Sequence, residues 1–356
     1  MNSQDTVFVT GFPGFIAGRL IERLAIQGQR FLLLVQPDLR TRAHSDLARI
    51  VSDTRVPADS FRIVEGDITD ENLALSPSDR ELVRAEARVV FHLAAVYDLA
   101  IKQDLAFAVN VDGTHNVNRF VRSLRDLRRY HYVSTCYVSG KRTGVIYEHE
   151  LKHEAGFRNY YEQSKYLAEL EVEALKPELP VTIHRPSVVC GDSETGETVK
   201  FDGVYYLINY LLRMPRAISL FNIGNQQVSL NLVPVDFVVN EMVALAEDEE
   251  SIGKTVQIAD PSPLTTADLF DTIATTIHGR GSRFRFPTGL VELFLKSPIS
   301  PPLTQLPHPA VPYFFIKQTY DTSVSSELLA KRGLKCPPFK SYVKNIIDYA
   351  KAVNSR

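Results

Sequence analysis

The stretch TVFVTGFPGFIAGRLIERLAIQ, from Thr6 to Gln27, decides the fold. It holds a short apolar run, a glycine-rich turn over Gly11 to Gly18, and an amphipathic segment, Arg19 to Gln27, that is predicted to be a helix. Strand, turn and helix in this order begin a dinucleotide-binding βαβ unit. Gly11 permits the tight turn out of the strand, and Gly14 lets the backbone approach a pyrophosphate. The sequence therefore predicts a nucleotide-binding fold, and a simple turn is the alternative.

Length and composition bound the remaining possibilities. The 356 residues exceed one compact core, so we expect a large domain and a smaller one. A net charge of −2 offers no positive surface for nucleic acid. Three cysteines far apart predict neither a disulfide framework nor a metal site. No leader sequence and no apolar run of about 20 residues is found, so we expect a cytoplasmic protein without a transmembrane segment.

Further apolar runs alternate with helical patterns such as Leu105 to Leu124, which predicts a doubly wound parallel α/β sheet of the Rossmann type. The predicted strands are Phe31–Val35, Phe61–Glu65, Arg88–Leu93 and Tyr130–Ser134. We expect residues 1–185 to form the nucleotide-binding domain, with 228–258 returning to it. Residues 186–227 and 259–356 are expected to form a smaller C-terminal α/β substrate domain.

The end of the second predicted strand bears on the choice of cofactor. NAD enzymes usually carry an acidic residue there for the ribose 2′-hydroxyl, whereas this chain has Gln36, with Arg40 and Arg42 close behind. Two arginines favour a 2′-phosphate, so the prediction is NADPH. Asp38 leaves NADH open, and the arginines alternatively are solvated loop charges.

Two other strand ends carry candidate cofactor contacts, because ligands bind at the carboxyl ends of parallel strands. Asp67 is placed to accept a hydrogen bond from the adenine amine. Ala94 and Ala95 allow the backbone to pass close to the cofactor. Each residue alone also fits an ordinary turn or packing role.

A phenol and an amine supply the candidate catalytic pair. Tyr161 and Lys165 are four apart in the predicted helix Arg158–Leu175 and so share one face. A neighbouring ammonium lowers the pKa of a phenol. We therefore predict that Tyr161 donates a proton to a carbonyl that receives hydride, while Thr135, after the fifth strand, hydrogen-bonds to the same oxygen.

The Tyr-x-x-x-Lys spacing occurs three times, at Tyr137/Lys141, Tyr161/Lys165 and Tyr313/Lys317. The first copy spans a glycine in a loop, and the third follows a proline-rich stretch far downstream. Only the middle copy lies in a clear helical pattern. Its neighbour Tyr160 would point about 100° away around that helix.

Several motifs in this order resemble an extended short-chain dehydrogenase/reductase. They are the glycine turn, VFHLAA (Val90–Ala95), NVDGTHN (Asn110–Asn116), VST before Cys136, and the Tyr161/Lys165 pair. Three downstream stretches resemble the fatty acyl reductase and thioester reductase branch: HRPSVVCGDSETGE (His184–Glu197), KFDGVYYLI (Lys200–Ile208) and NLVPVDFVV (Asn231–Val239). Over almost the whole chain, the sequence is similar to the N-terminal module of two-domain bacterial fatty acyl-CoA reductases.

The resemblance implies NADPH-dependent reduction of a fatty aldehyde or an acyl thioester, free or bound to CoA or a carrier protein. It implies catalytic roles for Thr135, Tyr161 and Lys165, and Lys165 would also bind the nicotinamide ribose. The cofactor-binding residues expected are Gly11, Phe12, Pro13, Gly14, Phe15, Ile16, Gln36, Arg40, Arg42, Asp67, Ile68, Ala94, Ala95, Asn110, Lys165, Pro186, Ser187 and Val188. The substrate-binding residues expected are Val96, Cys136, Tyr137, Tyr205 and Tyr206.

Two apolar segments are candidates for the substrate domain. Phe201–Arg213 predicts a helix that lines an apolar pocket, and plain core packing is the alternative. Pro287–Phe315 holds too many prolines for one regular helix and predicts an irregular flap over a lipid-like substrate, with peripheral membrane contact as the alternative. Lys340–Val353 predicts a closing amphipathic helix.

Other functions stay open. The fold also serves nucleotide-sugar epimerases and dehydratases, and hydroxysteroid-type ketone reductases. A non-catalytic NADP-binding protein is a further alternative, although it would have no use for Thr135, Tyr161 and Lys165 together. A homodimer is neither predicted nor excluded by the sequence.

Overall fold

The computed structural model describes residues 5–215, 217, 220–298, 300–304 and 306–354. Its strands are β1 (Thr6–Thr10), β2 (Arg30–Val35), β3 (Phe61–Glu65), β4 (Ala87–His92), β5 (Arg129–Val133), β6 (Gly144–Ile146), β7 (Val181–Pro186), β8 (Val188–Cys190), β9 (Phe221–Asn222), β10 (Leu232–Pro234), β11 (Thr255–Ile258), β12 (Phe284–Arg285) and β13 (Gln318–Tyr320). Its helices are α1 (Phe15–Ala25), α2 (Arg40–Thr54), α3 (Pro77–Glu86), α4 (Gln103–Ala106), α5 (Gly113–Val121), α6 (Tyr160–Glu173), α7 (Val204–Arg213), α8 (Val235–Ala246), α9 (Thr266–His278), α10 (Thr288–Leu295), α11 (Ser300–Thr304), α12 (Ser323–Ala330) and α13 (Phe339–Asn354).

Seven strands form one parallel sheet in the order β11-β7-β5-β4-β1-β2-β3. The chain runs outward from β1 to β3, then crosses back to β4 on the other side of β1. The strand order therefore reverses between β1 and β4, which is where a doubly wound fold opens a ligand crevice. The α/β fold class predicted from the sequence is confirmed.

The central strands are apolar because both faces of the sheet are covered. All five residues of β1 are buried, as are five of the six residues of β2. One face packs in a core cluster with α1 and α8, and the other packs with α5 and α6. These two layers fix the carboxyl ends of the strands at one edge.

The ends of two helices differ from the sequence prediction. Helix α1 begins at Phe15, four residues before the predicted Arg19, because Gly14 serves as its N-cap. The helix predicted over Leu105–Leu124 consists of α4, a π-helical segment at Phe107–Asp112, and α5. Periodicity does not reveal a π-helical segment, since it shifts the register of the helix by only one residue.

Segment 228–258 contributes to the sheet domain. Helix α8 packs against α1, and β11 pairs with β7 at the edge of the sheet. Helices α7, α9 and α13 share a separate apolar cluster. This separate cluster is consistent with the substrate domain predicted over residues 186–227 and 259–356. The division of the chain at residues 185 and 227 stays a prediction.

The proline-rich segment 287–315 is broken, as its prolines predict. Its described parts are α10, α11 and a 3-10 helix at His308–Phe314. Beyond it, α13 provides the predicted closing helix. Among the described residues, no helix combines the length and apolarity needed to cross a bilayer.

We predict that Gly11→Ala destabilises the protein more than Gly279→Ala. Both glycines have a positive φ, +94° and +76°, so each substitution costs about 1 kcal/mol in backbone strain. At Gly11 a Cβ would also lie 2.7 Å from the amide nitrogen of Ala94, whereas at Gly279 no atom lies within 4 Å. Overpacking adds about 1–3 kcal/mol. Urea unfolding of both variants measures the difference, and equal free energies of unfolding would contradict the prediction.

Candidate active site

A cavity of about 550 Å³ opens at the point where the strand order reverses. Its walls come from the turn after β1, the ends of β2, β4, β5 and β7, and the first turns of α6. Nineteen residues predicted from the sequence line it: Gly11, Phe12, Pro13, Gly14, Phe15, Ile16, Gln36, Arg42, Ile68, Ala94, Ala95, Val96, Thr135, Tyr137, Tyr161, Lys165, Pro186, Ser187 and Val188. The catalytic candidates and the glycine turn therefore border one space.

The glycine turn leaves a helix N-terminus open towards the cavity. The N-cap of α1 is Gly14, which makes no side-chain cap hydrogen bond, and no acidic side chain lies in the first turn. Unpaired N–H groups and the positive end of the helix dipole attract an anion. A Cβ on Gly14 would lie 2.6 Å from the carbonyl oxygen of Gly11, so glycine is required for the turn itself. This end of the cavity fits a pyrophosphate.

Gln36 and Asp67, which follow β2 and β3, are hydrogen-bonded to each other through their side chains. Gln36 Nε2 donates to Asp67 Oδ2 at 2.6 Å, and the backbone N–H of Thr69 donates to Asp67 Oδ1 at 2.8 Å. Burial acts to raise the pKa of Asp67, but the hydrogen bonds from Thr69 and Gln36 bring that pKa below its ordinary value. Asp67 stays ionised and lies outside the cavity lining.

The two arginines near the predicted adenine end point in different directions. Arg42 lines the cavity. Arg40 instead forms an ion pair with Glu65, at 2.6 Å between Nη1 and Oε1. Of the two, Arg42 is positioned to meet a charge inside the cavity.

Thr135 and Tyr161 bring two hydroxyl groups together. Thr135 follows β5, and its Oγ1 accepts a hydrogen bond from the backbone N–H of Tyr137 at 3.2 Å. Tyr161 lies in the first turn of α6, is 7% exposed, and lines the cavity together with Thr135. A carbonyl oxygen that reaches this point can contact both hydroxyl groups.

The expected lowering of the Tyr161 pKa was wrong. Burial raises the pKa of this phenol above its ordinary value, the nearby Thr135 hydroxyl opposes that rise, and the charge of Glu162 adds to it. The Lys165 ammonium is hydrogen-bonded to Tyr132 and Val133 and not to the phenol. Tyr161 therefore keeps its proton at neutral pH.

Lys165 is buried and points towards β5. Its Nζ donates to Tyr132 Oη and to the carbonyl oxygen of Val133, both at 2.9 Å. Burial lowers the pKa of Lys165 to about 7, and the charge of Glu169 opposes this shift. Tyr132 was missed in the sequence, where it reads as a strand residue that packs in the core.

A chain of buried hydrogen bonds lies next to Tyr132, beneath the cavity. The Thr114 hydroxyl lies beside the Tyr132 phenol, where it acts to lower the pKa of that phenol, and its Oγ1 lies 3.1 Å from His92 Nε2. The other ring nitrogen of His92 lies 2.7 Å from Thr10 Oγ1, which accepts from the amide of Ala94 at 3.2 Å. Burial, and then the charge of the lysine, lowers the pKa of His92 to about 3. The neutral imidazole thus links Thr114, on α5, to the turn after β4.

Asn110 has a positioning role in the structure. This buried side chain accepts a hydrogen bond from the amide of Val96 at 2.8 Å and donates to the Val96 carbonyl at 3.2 Å. It also donates to Ser164 Oγ at 2.9 Å. Asn110 lies outside the cavity lining and holds the loop after β4 against α6.

The third Tyr-x-x-x-Lys copy contributes a structural tyrosine. Tyr313 Oη donates to Glu162 Oε1 at 2.5 Å and accepts from Asn159 Nδ2 at 2.8 Å. Its ring lies 4.6 Å from that of Tyr137, which lines the cavity. Tyr313 therefore anchors the proline-rich segment to the start of α6.

Three predicted substrate contacts lie away from this cavity. The buried Cys136 thiol faces the carbonyl oxygen of Arg185 at 3.0 Å, on the far side of its short helical turn. Tyr205 is buried in the α7 core, and its hydroxyl accepts from the amide of Gly191 at 3.0 Å. Tyr206, on the next face of the helix, lines a second cavity. Tyr205 and Tyr206 point in different directions because they are adjacent on a helix. The aromatic composition of the segment did not show which of the two faces a cavity.

An open helix N-terminus and a Thr-Tyr-Lys set on one crevice define an extended short-chain dehydrogenase/reductase, a class of nicotinamide-dependent oxidoreductases. The chain belongs to the family described as Male sterility protein (NAD_binding_4), which matches residues 9–242.

Known proteins support this assignment. The chain is 27% identical over 283 residues to "Fatty acyl-CoA reductase wat" of Drosophila melanogaster, which covers 68% of this chain and 54% of that protein. It therefore spans about half the length of the fly protein.

Solved structures share the fold. The terminal R domain from the myxalamid PKS-NRPS pathway aligns with a TM-score of 0.82 at 24% identity, over 98% of this chain and 91% of that chain. The UDP-glucuronic acid 4-epimerase of Bacillus cereus, solved with UDP-glucuronic acid and NAD, aligns with a TM-score of 0.68 at 18% identity, over 98% and 99%.

We predict that Tyr132→Phe lowers the pKa of Lys165. In the pH profile of kcat/KM for reduction of a carbonyl substrate, the fall on the alkaline side then moves to lower pH. The phenol oxygen accepts a hydrogen bond from the charged form of Lys165, so its loss lowers the pKa of the lysine further, by about one unit. Tyr130→Phe is the matched control, since Tyr130 is buried on the same strand and donates to Asn118 rather than to the lysine. If Tyr132→Phe and Tyr130→Phe gave the same pH profile, the Tyr132 hydroxyl would not set the pKa of Lys165.

Proposed function

We propose that this protein is an NADPH-dependent reductase that transfers hydride to the carbonyl carbon of an acyl-type substrate, a fatty aldehyde or an acyl thioester. One observation carries the proposal: Thr135, Tyr161 and Lys165 line the same cavity as an open helix N-terminus. The relationship to a fatty acyl-CoA reductase supports the substrate class.

The cavity residues fit a nicotinamide dinucleotide. The N-terminus of α1 would hold the pyrophosphate, and Lys165, with one N–H left after its two hydrogen bonds, would hold the nicotinamide ribose. Pro186, Ser187 and Val188 also line the cavity and would contact the nicotinamide. When bound, the reduced cofactor supplies the hydride.

The protein's own groups supply the proton and bind the oxygen. Because burial keeps the Tyr161 phenol protonated, it can donate its proton to the carbonyl oxygen as negative charge develops there. Thr135 donates a second hydrogen bond to the same oxygen. With an aldehyde, one hydride and one proton give an alcohol. With a thioester, they give a hemithioacetal that releases its thiol and leaves an aldehyde.

The preference for NADPH is supported by the charges at the end of β2. Gln36 presents an amide where a carboxylate would bind the 2′-hydroxyl, and it is paired with Asp67. Arg42 supplies a positive charge to the cavity lining. A 2′-phosphate would find a guanidinium there, with the geometry that suits phosphate oxygens.

We predict that Tyr161→Phe lowers kcat about 10²-fold or more, with NADPH affinity nearly unchanged, since only the proton donor is lost. Tyr160→Phe is the matched control, because Tyr160 is adjacent and 42% exposed.

The assay follows NADPH oxidation with hexadecanal and with palmitoyl-CoA as substrates. The same assay is repeated with NADH in place of NADPH, and with UDP-glucuronic acid as an alternative substrate. Near-normal turnover by Tyr161→Phe would remove this residue from the mechanism, and tighter binding of NADH would overturn the cofactor assignment.

A further inference from the structure

A second cavity lies between α7, α9 and the proline-rich segment 287–315. Its volume is about 60 Å³. Its wall is formed mainly by side chains of hydrocarbon character, including Leu207, Tyr210, Leu269, Phe270, Leu306 and Phe314. None of the described residues that line it carries a charge.

The two threonine hydroxyl groups at this cavity are already hydrogen-bonded to the protein. Thr266 Oγ1 accepts from the amide of Asn225 at 2.8 Å and donates to the carbonyl of the same residue at 3.1 Å. Thr304 Oγ1 donates to the carbonyl of Ser300 at 2.8 Å. A polar ligand would therefore lose its hydration and find few partners in return. The chemistry favours an alkyl group.

An apolar path joins this cavity to the candidate catalytic tyrosine. The ring of Tyr97 lies 5.0 Å from that of Tyr161. Tyr206, which lines the second cavity, packs against the same apolar cluster as Leu99. Leu99 packs both in the cluster that contains Tyr161 and in the cluster of α10 and the 3-10 helix that covers the second cavity. Tyr97, Leu99 and Tyr206 thus connect the two spaces.

We propose that the second cavity binds the distal end of the alkyl chain of the substrate, while its carbonyl group lies between Thr135 and Tyr161. The inference rests on the proposed reductase function and adds the residues that select for chain length. The small volume suits the end of a chain and excludes a headgroup. Burial of the last methylene groups there favours long chains over short ones.

A cavity-filling substitution tests the proposal. We expect Leu207→Phe to lower kcat/KM for hexadecanal about tenfold, because the added ring occupies space that the chain end would fill. The value for butanal, which is too short to reach the cavity, is expected to stay within about twofold. Leu212→Phe is the matched control: it makes the same change on the same helix, at a residue that packs in the core and does not line the cavity.

The outcomes separate the inference from the function on which it rests. If the wild type reduces both aldehydes and Leu207→Phe lowers both values equally, or neither, the second cavity is not the chain site. If the wild type reduces no aldehyde or thioester, the reductase function itself fails. Binding of the fluorescent fatty acid cis-parinaric acid gives a readout without turnover, and Ile223→Phe is the second filling variant if Leu207→Phe does not fold. Unchanged binding in a folded filling variant would overturn the inference.

Discussion

The close approach of two backbone turns, at Gly11 and Ala94, is the constraint on which the site depends. Only a hydrogen atom on the Cα of Gly11 leaves room for the amide of Ala94, because a Cβ would lie 2.7 Å away. This approach brings the ends of β1 and β4 together where the strand order reverses. The crevice therefore opens beside an uncapped helix N-terminus, and an anionic dinucleotide can reach unpaired N–H groups there.

Buried side chains also lie between these turns and α6. Hydrogen bonds run from the Ala94 amide through Thr10 and His92 to Thr114, which lies beside Tyr132, and the Tyr132 hydroxyl accepts from Lys165. Buried polar groups are costly unless they are paired, so a network with these partners holds its members in one arrangement. Burial also sets the protonation states: it keeps the phenol of Tyr161 protonated and brings the pKa of Lys165 to about 7. Tyr161 therefore carries the proton that the proposed reaction needs, and the pKa of Lys165 lies close to neutral pH.

The sequence predicted those features that depend on local pattern. The third strand, Phe61–Glu65, was predicted with its observed bounds, and the glycine turn, the parallel sheet and the broken proline-rich segment were all confirmed. The placement of Thr135, Tyr161 and Lys165 on one crevice followed from the spacing of strand and helix, while their roles stay predictions. These features follow from periodicity and from the conformational limits of glycine and proline.

Features that depend on side-chain direction could not be predicted. Nothing in the sequence shows that Arg40 turns to Glu65, that Lys165 turns to Tyr132, or that Cys136 faces away from the cavity. Each outcome depends on which partner the fold brings within hydrogen-bonding distance. Tyr205 and Tyr206 differ in the same way, since adjacent helix residues point about 100° apart.

Transfer of isotope tests the central claim most directly. The protein is incubated with hexadecanal and NADPH that carries deuterium at the transferable C4 position, and the hexadecanol is examined by mass spectrometry. Direct hydride transfer predicts one deuterium on the carbinol carbon of the alcohol and oxidised cofactor without label. An alcohol without deuterium, or no alcohol and label that stays in the cofactor, would contradict the reductase account.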